Sequence, residues 1–142
     1  MTARRGHTTR TKLEAAVCDA MIRQELPHEH RSLRFRVLDA TGRSAKYSPP
    51  IVARRGPILF LVEPIASATR STIERLARFL EQHSPEIVLV VVAPDAIVNK
   101  VPEGAYDEIY SHSDLARMTG RIRDQDPEGI IVPFEKPQPR RA

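Results

Sequence analysis

Apolar residues at Leu13, Ala16, Val17, Ala20 and Met21 recur at helical spacing, which predicts a helix over 11–26. Thr11 and Glu14 fit a capping box at its start, and Pro27 marks its end. Over 33–38 the pattern changes to alternation, Leu-Arg-Phe-Arg-Val-Leu, which predicts a strand with Arg34 and Arg36 on one face. Asp39-Ala-Thr-Gly42 reads as a turn. The runs 51–53 and 58–62 flank Arg54-Arg55-Gly56-Pro57 and read as two strands joined by a tight turn. Gly there allows positive φ and Pro fixes φ near −65°. A second helix is predicted over 67–83, with Ile73, Leu76, Ala77 and Leu80 on one side and Ser71 and Glu74 at its cap. The unbroken valine-rich run 87–93 suits a parallel strand buried on both faces, and the helix before it supplies the crossover. A short strand over 106–110, a helix over 113–124 capped by Ser113, a turn over 126–129 and a last strand over 130–134 complete the order.

That order is helix, three strands, helix, strand, strand, helix, strand, an α/β chain with a central mixed sheet. Consecutive strands over 31–63 weigh against a doubly wound alternation, and neither a Gly-x-Gly-x-x-Gly nor a P-loop pattern is present. If the hairpin turn centres on 55–57, Pro50 falls opposite Glu63, and Glu63 shares a face with Ile65. The hairpin and the order around it resemble the PD-(D/E)XK nuclease superfamily, which includes restriction enzymes and Holliday junction resolvases. The resemblance covers about residues 11–95 and implies a restriction-endonuclease-like core. It also implies a metal site in which Glu63 holds the acidic position. Pro50 stands where the family has Asp, and Ile65 where it has Lys. Glu14 lies on the first helix, where some relatives supply a further acidic ligand; read from the residues alone it is the partner of Thr11 in the capping box.

Charge adds a second theme. The net charge is +4, and residues 31–55 carry Arg31, Arg34, Arg36, Arg43, Lys46, Arg54 and Arg55 against Asp39 alone. The segments 1–10 and 135–142 are also basic and read as a disordered arm and a Pro/Arg-rich tail around a single domain over 11–134. Arg34, Arg36, Lys46, Arg54 and Arg55 are the candidate contacts to a nucleic-acid backbone; the plain alternative is a solvated basic face. No run is long enough to span a membrane, and the Arg-rich start lacks a signal-peptide apolar region. The expectation is therefore a soluble, cytoplasmic protein.

Other groups invite chemistry. His28-Glu29-His30 puts two histidines on one face of a strand. A structural zinc site wants about four ligands, however, and His7, His83 and His112 are scattered while Cys18 stands alone as a small core residue. The residues therefore argue for a surface loop there. Lys46 or Arg70 is a candidate substitute for the missing Lys, and Asp39 reads as a turn residue rather than a migrated ligand. Tyr106, Asp107, Tyr110 and His112 form either a stacking cluster or a strand end covering the core. Ser111-His112-Ser113-Asp114 has the residue types of a hydrolase triad, but sequence neighbours cannot all converge.

The leading expectation is a catalytically degenerate nuclease-fold domain that binds DNA or RNA, or serves as a non-catalytic subunit beside an active enzyme. The alternatives are a metal-dependent endonuclease with relocated ligands around Glu63 and Glu14, and a homodimeric interaction module. No cofactor is implied, apart from magnesium if cleavage survives.

Overall fold

The computed structural model describes residues 3, 4 and 7–129; the expected strand over 130–134 and the basic tail lie outside them. Strands β1 (Ala3–Arg4) and β2 (His7–Thr8) pair antiparallel within the segment read from composition as an arm. Helix α1 (Lys12–Arg23) follows, then β3 (Glu29–His30), β4 (Phe35–Leu38), β5 (Ser44–Tyr47), β6 (Ile51–Arg55) and β7 (Ile58–Pro64). Helix α2 (Arg70–Gln82) crosses over to β8 (Ile87–Ala93), and β9 (Glu108–Ser111) leads through a short 3-10 turn into α3 (Leu115–Asp124).

Five strands form a mixed sheet in the order β3-β6-β7-β8-β9. The β6–β7 pair is antiparallel and β7–β8 is parallel, as the hairpin and the valine run predict. Gly56 takes φ of 58° at the β6–β7 turn, and Pro57 after it completes the positive-then-negative φ pattern of a II′ turn. The register Ile51↔Val62 carries on to set Pro50 across from Glu63. The expected element order is not matched. The three-strand meander does not form, because the strand predicted at 33–38 pairs with β5 in a separate two-stranded ribbon instead of joining the sheet.

Alternation along the strands builds two cores. Ile51, Ala53, Phe60, Val62, Val90 and Val92 face α1 and α3, packing with Val17, Met21, Met118 and Ile122. Val52, Leu61, Leu89 and Val91 face α2 and the ribbon, packing with Leu76, Phe79, Val37 and Tyr47. The central strands are thus apolar on both faces, which explains their continuous hydrophobic runs. Helix starts are partly as expected. Thr11 Oγ1 accepts from Glu14 N at 3.0 Å. Helix α2, by contrast, is capped by Thr69 through Thr72 N, not by Ser71 and Glu74. Ser113 caps nothing: its N–H donates to Asp95 and its hydroxyl lies against Ser111.

Candidate metal centre

The end of α1 explains how the site is assembled. Leu26 N donates to Met21 O and Glu25 N to Ile22 O, a Schellman closure with Glu25 at φ 55° where glycine is the usual residue. The closure reverses the chain so that 27–30 return alongside the helix. β3 then pairs with β6, His30 opposite Ile51, so the His30 ring lies on the α1 side of the sheet. Arg31, the next residue, also takes a positive φ of 52°, while its N–H bonds Pro50 O. Two non-glycine residues in left-handed conformations thus flank one five-residue segment, a strain of order 1–3 kcal/mol each that surrounding contacts must hold.

What they hold together is a cluster of His7, Cys18, His28 and His30, whose ligand-capable atoms all lie within 4.8 Å of one another. Cys18 Sγ lies 3.2 Å from His28 Nε2, 3.4 Å from His30 Nε2 and 3.7 Å from His7 Nδ1, and His30 Nε2 is 3.2 Å from His7 Nδ1. A tetrahedral zinc with Zn–S of about 2.3 Å and Zn–N of about 2.05 Å requires S···N edges of about 3.5 Å and N···N edges of about 3.3 Å. These are four of the six edges of such a tetrahedron, and each lies within about 0.3 Å of the ideal. It is the only such group of three or more His, Cys, Asp or Glu ligands among the described residues.

The outer contacts prepare the same atoms. His28 Nδ1 donates to Leu26 O at 2.9 Å, and His30 Nδ1 donates to Glu14 Oε2 at 2.9 Å. A neutral imidazole that donates through Nδ1 presents a lone pair at Nε2, and both Nε2 atoms face the sulfur. The thiol and the His7 ring, whose Nδ1 is 3.2 Å from His30 Nε2, are the groups these lone pairs meet, and a cation placed among them would bind the same atoms. The carboxylate–histidine pair is the outer-sphere arrangement that fixes the tautomer of a metal-bound imidazole. Burial, together with His7 and His30 nearby, lowers the His28 pKa despite the bond to Leu26 O, which favours the neutral ligand form. Glu14 is 1% exposed, and its carboxylate also accepts from both Arg31 terminal nitrogens and from Arg10 N. Burial raises its pKa, but the bonds from Arg31, His30 and Arg10 outweigh that and leave it lowered.

The segment read as a loop leading into a strand does enter one, β3, and its two histidines meet two further potential ligands. Four side chains could serve as ligands, because the fold brings His7 from β2 and Cys18 from α1 onto the His28–His30 pair. The local signal was the i, i+2 histidine pair entering a strand. The two remote ligands carry no sequence signature of their own. His83 and His112 lie elsewhere: His83 stacks on Phe79 and bonds Arg36 O.

The residues expected to carry cleavage do not converge. Glu63 points with Leu61 to the ribbon side of β7, where Tyr47 OH donates to it at 2.8 Å. It is 7% exposed, and burial above all raises its pKa to about 7. Glu14 acts on the other side of the sheet, and neither carboxylate belongs to a metal-sized group among the described residues. Ile65 is buried in the core, Lys46 is exposed on the ribbon, and Arg70 is exposed and paired with Glu74. Asp39 is a turn residue, its Oδ1 accepting from Thr41 N, Thr41 Oγ1 and Arg43 N. Asp107 stitches β8 by accepting from Leu89 N, and Tyr110 OH donates to Glu108, so that group supports the sheet end.

The basic residues separate into sets. Arg36 and Lys46 are directly opposed on the ribbon, with exposed Arg34 just before it. Arg54 is exposed near the β6–β7 turn, whereas Arg55 reaches the α3 side and donates to Arg123 O. No described helix is long and apolar enough to cross a membrane. In comparisons with known proteins, no family model and no curated protein matches this chain.

Proposed function

We propose that this protein is a zinc-binding, non-cleaving nucleic-acid-binding domain built on a nuclease-like α/β frame. The observation that carries the metal assignment is the convergence of Cys18 Sγ and three imidazole nitrogens within 4.8 Å of one another, four of their six separations lying near tetrahedral edges, backed by Glu14 and Leu26 O. One thiolate and three imidazoles make a borderline-soft, tetrahedral donor set, which suits zinc better than magnesium or calcium. Four protein ligands leave no open position, so the metal is structural. It ties the β1–β2 hairpin to α1 and to the edge strand β3.

The antiparallel β6–β7 hairpin, the α2 crossover and the parallel β8 support the nuclease-like reading of the frame. The place where that family keeps magnesium argues against cleavage here. Pro50 offers no ligand and Ile65 no base, while Glu63 is a buried acid engaged by Tyr47. The reading thus separates a metal used for folding from a nuclease position without one.

The test is direct. The purified protein should contain one zinc per chain, and Cys18→Ser combined with His28→Ala should lose it. With magnesium or manganese, duplex, branched and single-stranded substrates should remain intact. Substoichiometric zinc that cannot be restored by adding the metal contradicts the first half. Cleavage abolished by Glu63→Ala contradicts the second.

A further inference from the structure

The β4–β5 ribbon has one face spoken for. Phe35 and Tyr47 are cross-strand partners, and each meets the Phe79 ring of α2 at 5.1 Å. The Gln82 side chain bonds both the N–H and the carbonyl of Leu38 at 2.8 Å, and His83 bonds Arg36 O. The ribbon is therefore clamped on α2, and the alternation turns its other face outward.

That outer face carries Arg36 and Lys46 as directly opposed neighbours, with exposed Arg34 two residues before Arg36. Like charges placed opposite each other on paired strands cost stability, by something under about 1 kcal/mol. Among the described residues no ion pair involves Arg34, Arg36 or Lys46. Asp39, the only acid in the ribbon or its turn, is occupied by Thr41 and Arg43 N. Leu38, 47% exposed and the one exposed large hydrophobic residue among those described, lies on the same face by alternation. Folding explains none of these choices. A rigid strand pair with uncompensated cations does fit a surface that presents fixed negative charge, and a two-stranded ribbon is narrow enough for a major groove.

We propose that this outward ribbon face docks on the phosphate backbone of a nucleic-acid duplex, with Arg34, Arg36 and Lys46 each meeting a phosphate and Leu38 turned toward the groove. The proposal rests on the nucleic-acid reading above and assigns its surface. Arg55, directed to the α3 side, takes no part.

The experiment uses zinc-loaded full-length protein and a fluorescent DNA duplex, with affinity measured across a salt series. Wild type should bind, weakening as salt rises. Arg34→Ala with Arg36→Ala and Lys46→Ala should bind more weakly to all sequences alike. Its log–log salt slope should be shallower by about 2.7, at about 0.9 per lost phosphate contact. Arg55→Ala should leave the slope unchanged. These side chains are exposed and two of them repel, so the triple variant should melt no lower than the wild type, which separates lost contact from lost fold. If wild type binds and the triple variant keeps its slope, the ribbon assignment fails while the nucleic-acid reading stands. If wild type does not bind duplex even at low salt, both fall. Ribbon-dependent binding to vesicles of anionic phospholipid, without duplex binding, would assign the face to a membrane instead.

Discussion

Two buried glutamates stand on opposite faces of one sheet and do opposite things. Glu14, on the α1 face, is surrounded by donors: two guanidinium nitrogens, an imidazole N–H and a backbone N–H. Glu63, on the ribbon face, has the Tyr47 hydroxyl as its hydrogen-bonding partner among the described residues, with Arg75, Glu14 and Arg31 acting on it through charge alone. The first is held ionised and its pKa lowered; the second is pushed up to about 7. Burial weighs more heavily on Glu63, which has one donor, while Glu14 has four, and both differences push the two pKa values apart. A carboxylate that would orient a metal-bound histidine needs its charge, and Glu14, which bonds His30, has it. An acid that would bind magnesium needs the same, and burial at Glu63 opposes that ionisation.

Removing the metal should have the strongest consequence. Stripping it with a chelator should lower the thermal midpoint by about 15 °C. That figure takes free metal a thousandfold above Kd as worth about 4 kcal/mol and roughly 4 °C per kcal/mol for a chain of this size. Re-addition of zinc, read by circular dichroism, should restore it.

A smaller effect is expected at Glu63, with a definite sign. Its folded pKa lies above the ordinary 4.5, so the native state binds the extra proton. The stability this provides is complete below about pH 4.5 and is lost as pH rises through about 7. The total is about 3 kcal/mol, from about 1.4 kcal/mol per pKa unit. Glu63→Gln, which preserves an acceptor for Tyr47, should flatten that pH dependence and stabilise the protein at pH 8. Denaturant melts at pH 5 and pH 8 check it; a variant less stable than wild type at pH 8 would contradict the assignment. Glu14 should show the reverse, with a contribution present above its unfolded pKa and lost as pH falls below it.

The smallest effect sharpens the comparison. Glu14→Gln should lower zinc affinity by about 10- to 100-fold, the usual cost of removing an outer-sphere carboxylate. Glu63→Gln should leave zinc affinity unchanged, as measured by competition with a chromogenic chelator.

What was legible in the sequence followed periodicity. The β6–β7 hairpin, the parallel valine strand and the α1 stripe are local patterns, and each appears as expected. Strand β5 was not legible, because Ser44, Ala45 and Lys46 are all exposed and leave no alternation to read. Nor was the placement of β4, since its pairing depends on Phe35 and Tyr47 meeting Phe79 from α2. The four-residue His/Cys cluster was not legible for the same reason at longer range. His7 and Cys18 are separated from the His28–His30 pair by a helix whose left-handed end at Glu25 sets the return path. Spacing alone did not disclose that a non-glycine residue would take that conformation.

The most direct test of the central claim is cobalt substitution. Loaded with one cobalt(II) per chain, the protein should show the intense visible bands of tetrahedral coordination and a thiolate-to-cobalt charge-transfer band in the near ultraviolet. Cys18→Ser should abolish the charge-transfer band, and Glu63→Gln should leave the spectrum unchanged. Weak octahedral bands, or a spectrum indifferent to Cys18, would show that the four side chains do not form a metal centre.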